Sequence, residues 1–428
     1  MKSGSPSGTL TYAWIVVALL FPVALLNYLD RQMLATMKAS MVADIPSIAE
    51  KADWGLVLAC FKWTYAGLSP FGGYVADRLS KRYVVGFSLL TWSVVTWWTG
   101  RVTGFHEMMG VRALMGISEA FYMPAALALI TDYHFGPTRS RAVGVHQAAI
   151  YLGQILGGFA GYVAESPTHG WRWVFSSCGL VGVAYAVPLV LLLRDRARPA
   201  AAVAVTSDAA APGIVRGLLT NGNFLLLVAY FTLPAIAGWV VRDWMPEILR
   251  ERFHLGQGQA GVSAILYVQV ASIVGVIVGG TLADRWMRRN VRGRIFTSAI
   301  GMVLFMPALF GVGQAGTLAV AIGGLVVFGL GWGFFDCNNM PILCQIARPE
   351  WRATGYGIMN FVSISCGGLG DWAFGSLRDR HVPLNLVFGV FAGIALLSAI
   401  VVLLIRPAGP ETLPAGTNRP TPIPDERT

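Results

Sequence analysis

Four ionisable residues stand where lipid would reject them: Asp30 and Arg31 in one apolar stretch, Arg112 and Glu119 in another. At the centre of a bilayer such a group costs about 2.5 to 3.5 kcal/mol on insertion-based scales unless it is paired or solvated. Arg112 and Glu119 are seven residues apart and share a helical face, but roughly 10 Å of rise separates them, too far for a direct ion pair. Asp30 and Arg31 are adjacent and point about 100° apart. Each of the four must therefore look to another helix, and a network between the two stretches follows. Two carboxylates held near one another repel, which favours a proton on one of them, as a proton carrier requires. The alternative is a fixed ionic lock that does not titrate.

Other polar residues fall on helical faces. Lys62, Tyr65 and Ser69 lie at i, i+3 and i+7, a face that could bind a hydroxylated anion, unless Lys62 snorkels to the interface. Gln147, Tyr151 and Gln154 form a stripe suited to sugar hydroxyls. Gly153, Gly157 and Gly161 beside it have the spacing that permits close helix contact, matched by Gly275 and Gly279, and read as packing between two halves. Trp332, Asp336 and Asn339 share a face beside Asn338, and Asn360, Ser363, Gly367 and Asp371 share another. Both faces should line a cavity. Asp336 reads as a second protonatable site, a cation ligand or a hydroxyl acceptor, or else as a neutral acid bonded to Asn338 or to a neighbouring helix. Arg242 and Asp243 read as a gate salt bridge or as interfacial snorkelling. Tyr267 and Gln269 are weaker cavity candidates.

These residues need helices to hold them. The 428 residues are 55% hydrophobic and 13% charged, with a mean hydropathy of +0.59, which excludes a water-soluble globule. Twelve runs are long enough to span a bilayer: 12-37, 54-76, 83-103, 107-132, 142-163, 172-193, 221-246, 261-283, 295-313, 317-345, 355-376 and 384-405. The fold class is an all-α polytopic membrane protein of 12 transmembrane helices in two pseudo-symmetric six-helix bundles. The first bundle is 1-194, the cytoplasmic linker is 195-219 with the low-complexity stretch "RDRARPAAAVAVTSDAAAPG" running into it from Arg194, the second bundle is 220-406 and a cytoplasmic tail is 407-428. The first run is too long for a signal-peptide core and lacks a small-residue cleavage pattern.

The formal charge of +10 reports topology. Of the 32 Lys and Arg, 20 fall at the termini and in alternate loops and 8 in the opposite loops; Arg31, Lys62, Arg112 and Arg242 lie within or at the ends of apolar runs. The positive-inside rule puts both termini in the cytoplasm and leaves no reason to invoke nucleic acid. Cys60, Cys178, Cys337, Cys344 and Cys366 all lie in apolar runs without metal or disulfide spacing. No Walker loop and no HExxH occurs, so neither an enzyme nor a cofactor is expected.

"GYVADRLSKR" from Gly73 recurs as "GTLADRWMRR" from Gly280, and "RAVG" from Arg141 recurs as "RATG" from Arg352. Two echoes in nearly one register indicate duplicated halves, which favour alternating access over a fixed pore. The chain resembles the major facilitator superfamily from about Tyr12 to Arg406, on the Gly-x-x-x-Asp-Arg loop and its repeat. Within it "NYLDRQML" at 27-34, "RALMGISEAFYMPA" at 112-125 and "HGWRWVF" from His169 resemble the anion:cation symporter family. Spinster-type lysolipid transporters carry a similar Asn-Tyr-Leu-Asp-Arg and a Glu-Ala pair.

The first resemblance implies a proton-coupled symporter of a small organic anion, above all a sugar acid, working as a monomer in the inner membrane. It implies that Asp30 and Glu119, with Asp336 as a further candidate, carry protons and that Arg31 holds the substrate carboxylate. Lys62, Tyr65, Arg112, Gln147, Tyr151, Asn339 and Asn360 complete the expected substrate site. Asp77, Arg78 and Arg82, with Asp284 and Arg285, are carried over from the superfamily motif as a cytoplasmic latch. The spinster resemblance implies instead an amphiphile transporter, with a lateral opening and an apolar pocket in the C-terminal half.

Overall fold

The computed structural model describes residues 6–134, 137–196, 211–348 and 351–407; the side chains of residues 6–10, 73, 74, 76, 77, 137, 140, 211 and 212 lie outside that description. Most of the segment read as a linker and the tail from 408 onward also fall outside it.

Inside a bilayer every backbone N–H and C=O must be satisfied within the protein, so apolar runs of about 20 residues become helices. The N-terminal half comprises α1 (Pro6–Thr36), the short α2 (Lys38–Asp44), α3 (Lys51–Arg78), α4 (Lys81–Thr99), α5 (Phe105–Glu119), α6 (Tyr122–Tyr133), α7 (Pro137–Ala164) and α8 (Gly170–Leu192). Then come α9 (Ala211–Leu219), α10 (Gly222–Phe253), α11 (Gln257–Met287), α12 (Gly293–Gln314), α13 (Leu318–Asp336), α14 (Asn339–Ile346), α15 (Arg352–Asp379) and α16 (Leu384–Leu404). The helix α9 occupies the end of the stretch read as linker and packs on α10 and α15.

Counting α5 with α6 and α13 with α14 as single rods, twelve long rods occur among the described residues, and eight are apolar enough to cross a membrane on composition alone. The other four are α3, α4, α7 and α15. Three of these join the halves, α3 lying along α15 and α7 along α11. A helix with protein on one face can carry charge and glycine there, and these helices trade apolar surface for interface.

The glycine stripe of α7 does not face the other half as a unit. A Cβ on Gly153 or Gly157 would strike Leu25 or Gln32 of α1, in the same half, whereas one on Gly161 would sit 2.5 Å from the Gln257 backbone of α11. A spacing of four residues drifts by about 40° per step on a helix of 3.6 residues per turn, so the stripe rotates from one neighbour to the next. Gly275 and Gly279 back onto Leu330 and Phe334 of α13 within their own half.

Two runs read as continuous helices are broken, at Ala120 and Phe121 and at Cys337 and Asn338. The breaks occupy matching places in the two halves and each directly follows an acid, Glu119 or Asp336. Carbonyls next to the breaks find side-chain donors: Ser88 donates its hydroxyl to Ser118 O, and Asn338 Nδ2 donates to Phe334 O at 3.0 Å. Broken helices persist at membrane depth only where the surrounding protein supplies such partners.

The halves close on each other at the end where α3 and α11 begin. Asp379, closing α15, accepts from the N–H groups of Lys51 and Ala52 at 3.0 and 2.7 Å, and Glu165, just after α7, accepts from those of Gln257 and Gly258 at 2.5 and 3.4 Å. Each half thus caps the first turn of a helix in the other, placing a carboxylate where unpaired N–H groups and the helix dipole favour it. Lys51 to Glu251 at 2.7 Å and Lys38 to Glu247 at 3.5 Å add ion pairs across the same seam. At the opposite end, which carries α9 and the last turn of α16, the polar contacts found among the described residues stay within a half, as Asp284 with Arg294 does. Losing a side-chain cap costs about 1 kcal/mol. Glu165→Ala and Asp379→Ala should therefore each raise the ratio of open to closed molecules at this end about fivefold, and nearly multiplicatively together, read from inter-half spin-label distances.

Candidate functional site

Glu119 is the last residue of α5, where the negative end of a helix dipole makes a second negative charge unfavourable without a cation. Arg31 of α1 supplies it, donating from Nε to Glu119 Oε2 at 2.6 Å. Glu119 is 0% exposed and Arg31 15%. The rings of Tyr28, Phe61 and Tyr65 surround the guanidinium, each with its centroid 4.8 Å from Cζ. A planar cation among aromatic faces is held by their quadrupoles while its edge stays available to a carboxylate or phosphate.

Asp30 points away from Arg31, as the 100° step demands. It accepts a hydrogen bond from the Thr96 hydroxyl of α4, and its other oxygen is buried without a partner. Arg112 lies 4.6 Å from the Phe61 centroid, with Asp30, Glu119 and Asp243 as its electrostatic neighbours and its Nε unpartnered. The four intramembrane charges therefore meet in one cluster, with Thr96, Phe61 and Tyr28 as members that no charge pattern revealed.

Lys62 borders the same space but takes other partners. Although it sits three residues before Tyr65, it forms ion pairs with Asp243 of α10 and Asp371 of α15, both in the other half. It lies over the Trp239 ring at 4.6 Å and is 3% exposed, so it does not snorkel. Tyr65 turns toward Arg31 and stacks on Phe61. The pairing assigned to Asp243 is thus with Lys62 across the halves and not with Arg242. Asp371 was legible only as one position in a polar stripe; its partner lies on a helix 309 residues away in sequence.

Arg31, Arg112, Gln32, Gln154 and Tyr28 line a narrow cavity that Lys62 also borders, and from the other half Trp239, Arg242 and Asp243 close it. Arg242 also lines a second pocket, inside the C-terminal half, formed by Val241, Ala264, Ile265, Val268, Phe328 and Trp332 with Gln269 and Ser272. Asp336, ending α13 as Glu119 ends α5, is exposed, with Arg242, Tyr151 and Tyr356 as electrostatic neighbours. Gln147 accompanies Tyr151 and Asn360 accompanies Tyr356. These polar residues gather where the halves face one another. Asn339 does not join them: the break at Cys337 and Asn338 carries it away from the face of Asp336, and its amide is buried without a partner. Asn338 donates to Phe334 O and Cys337 Sγ and leaves Asp336 alone. Tyr267 is exposed.

Of the expected latch, Asp284 pairs with Arg294 of its own half at 3.6 Å and Arg285 is exposed. The main-chain N–H of Arg82 donates to Asp195 at 3.0 Å and its guanidinium lies over Tyr83, while Arg78 is exposed and the Asp77 side chain falls outside the described residues. The five cysteines are free and half-buried. No cluster of His, Cys, Asp and Glu suited to a metal occurs among the described residues.

The sequence pattern of the Major Facilitator Superfamily matches residues 20–371. Protein spinster of Drosophila melanogaster is 25% identical over 390 residues, covering 87% of this chain and 63% of that protein, so the chain spans less than two thirds of its length. An MFS-type efflux pump of Mycolicibacterium smegmatis is 28% identical over 374 residues, covering 86% of this chain and 85% of the pump. Among solved structures, a bacterial homolog of the human lysosomal transporter spinster, inward-facing and occupied, superposes with a TM-score of 0.78 at 18% identity, over 94% of this chain and 97% of that one. That likeness establishes the architecture. The family pattern runs through both halves and across the residues just described, and the chain belongs to the Major Facilitator Superfamily of membrane transporters, not enzymes.

Proposed function

We propose that this transporter carries an anionic amphiphile of lysolipid type by alternating access coupled to protons. The observation that supports this reading is the double duty of Arg242, which borders both the cationic cavity of Arg31 and Arg112 and an apolar pocket inside the C-terminal half. Both spaces are narrow in this closed state, with room for about one water molecule each; widened as the halves move, the first would suit a charged headgroup and the second an acyl chain, and an apolar pocket in that half is what the spinster resemblance implies. A small organic anion such as a sugar acid is the second reading, favoured by Gln32 and Gln154 beside Arg31 in the same cavity.

The coupling runs through one exchange. In the state described, Glu119 occupies the guanidinium edge of Arg31. A proton on Glu119 removes that competitor and frees Arg31 for the substrate anion, a differential interaction of the kind any coupled conformational change needs. Asp30 and Asp336 are further carriers. The excess of basic residues in the loops of the open end supports a cytoplasmic place for that end and for the termini, in keeping with the proposed inner-membrane location. The latch residues then hold the opposite, outward-open state.

Two measurements test this. In a thermal-shift series, lysolipids should stabilise the protein increasingly with acyl length, at about fourfold in affinity per buried CH2 (roughly 0.8 kcal/mol). Ala264→Trp, which fills the apolar pocket, should end that dependence at a shorter chain; stabilisation by hexuronates and not by lysolipids would overturn the amphiphile reading in favour of the small anion. In proteoliposomes, Glu119→Gln should weaken the pH dependence of substrate affinity and lower the number of protons moved per substrate. An unchanged proton-to-substrate ratio in this variant would remove Glu119 from the coupling step.

A further inference from the structure

Lys62, Asp243 and Asp371 form an ion cluster that the exchange at Arg31 does not use. One ammonium faces two carboxylates, and all three side chains are nine-tenths or more inaccessible or close to it: Lys62 3%, Asp371 0% and Asp243 11% exposed. Two negative charges on one cation leave an excess, and Asp371 Oδ1 is buried with no charged partner, the Trp244 indole being its polar neighbour. The cluster is also divided between the halves, since the cation comes from α3 and both acids come from α10 and α15.

The other charges facing it are already engaged. From α1, Arg31 is held by Glu119 and Lys38 by Glu247. From α5, Arg112 is an electrostatic neighbour of Asp243 but is shared with Asp30 and Glu119. From α10, Arg242 is the electrostatic neighbour of Asp336. When the closed end opens, Lys62 and Arg112 leave together with the N-terminal half. Asp243 and Asp371 remain side by side in the other half with no cation of their own directed at them. Two carboxylates in that position do not both stay ionised.

We propose that Asp243 and Asp371 form a second proton-binding site, which takes up one proton as the closed end opens and gives it up when Lys62 returns between them. Lys62 is a tethered cation that competes with the proton, so this seam is a proton-linked lock with its own acids, although Lys62 and Asp243 border the cavity of Arg31. The inference rests on the rocking-halves reading given above. Uptake of one proton on opening makes the open form gain about tenfold in population per unit fall in pH across the titration. The order is fixed by linkage: acid favours opening and alkali favours the closed seam.

The test is the distance between spin labels at Ala49→Cys and Gly316→Cys, both exposed at the closed end, in full-length protein with its native cysteines replaced by serine and reconstituted in lipid nanodiscs. A Cβ at Gly316 meets open space. Asp30→Asn and Glu119→Gln are included throughout so that the first site contributes no protons, with Arg31→Gln and Arg112→Gln so that it leaves no freed cation beside Asp243. The parent should show the tenfold slope; Asp371→Asn, which leaves a balanced pair of Lys62 and Asp243, should flatten it. Lys62→Gln should flatten it as well, because the acids then share a proton in both states, whereas Lys62→Arg should retain it. An unchanged slope in Asp371→Asn and Lys62→Gln would overturn the proposal, as would opening that follows sodium concentration and not pH. Labels that never separate under any condition would overturn the rocking reading and this proposal with it, while separation without pH dependence would overturn the proposal alone.

Discussion

An ionised side chain inside a membrane-spanning bundle has to find its counter-charge on another helix, because lipid offers none and its own helix places neighbours at the wrong angle or height. That constraint organises this protein. Arg31 reaches from α1 to Glu119 at the end of α5, and Lys81 reaches from α4 to Asp132 in α6 at 2.8 Å. Both pairs lie within one half and hold its helices in register. Lys62, Lys38 and Lys51 reach instead into the other half. The two classes differ in consequence: pairs within a half survive a rocking motion, whereas pairs between halves must be broken by it. A buried charge stranded by such a break costs several kcal/mol, so whatever neutralises it is coupled to the motion.

The internal duplication gives these constraints a shared geometry. Glu119 and Asp336 each end a helix that breaks at the next residue, and each has an arginine from the first helix of its half as its cation: Arg31 from α1, and Arg242 from α10. The halves are not equivalent in how they use the device. Arg31 is bonded to Glu119 within an aromatic cage, while Asp336 is exposed and its arginine stands between the polar cavity and an apolar pocket. The same duplication sets Glu165 and Asp379 at the ends of equivalent helices, each capping a helix of the opposite half. A seam built from two reciprocal caps closes symmetrically, so neither half needs to deform internally when it opens.

How much of this was legible in the chain differs by length scale. The lipid penalty acts on each residue where it stands, and that is why apolar runs, the excess of arginine in alternate loops and the four misplaced charges at Asp30, Arg31, Arg112 and Glu119 could be read directly. The 100° step between neighbours correctly separated Asp30 from Arg31 and sent each to a different helix. Reading Lys62 with Tyr65, and Asp336 with Asn339, assumed that residues on one helical face share an environment. The first pair diverges because side-chain reach chooses between two different neighbours. The second diverges because the helix breaks between its members.

The sequence by itself determined the class of protein, the count of its spans, the duplication and the residues too polar to face lipid, since each follows from local transfer energies, helical periodicity or internal repetition. Only the tertiary structure decided which charge answers which. Lys62 meets Asp371 across 309 positions and Glu165 caps Gln257 across 92, and no local property of either partner announces the other. It also decided that the seam is closed at one end, because that state is a balance of contacts between halves, and such contacts exist only once both halves are folded.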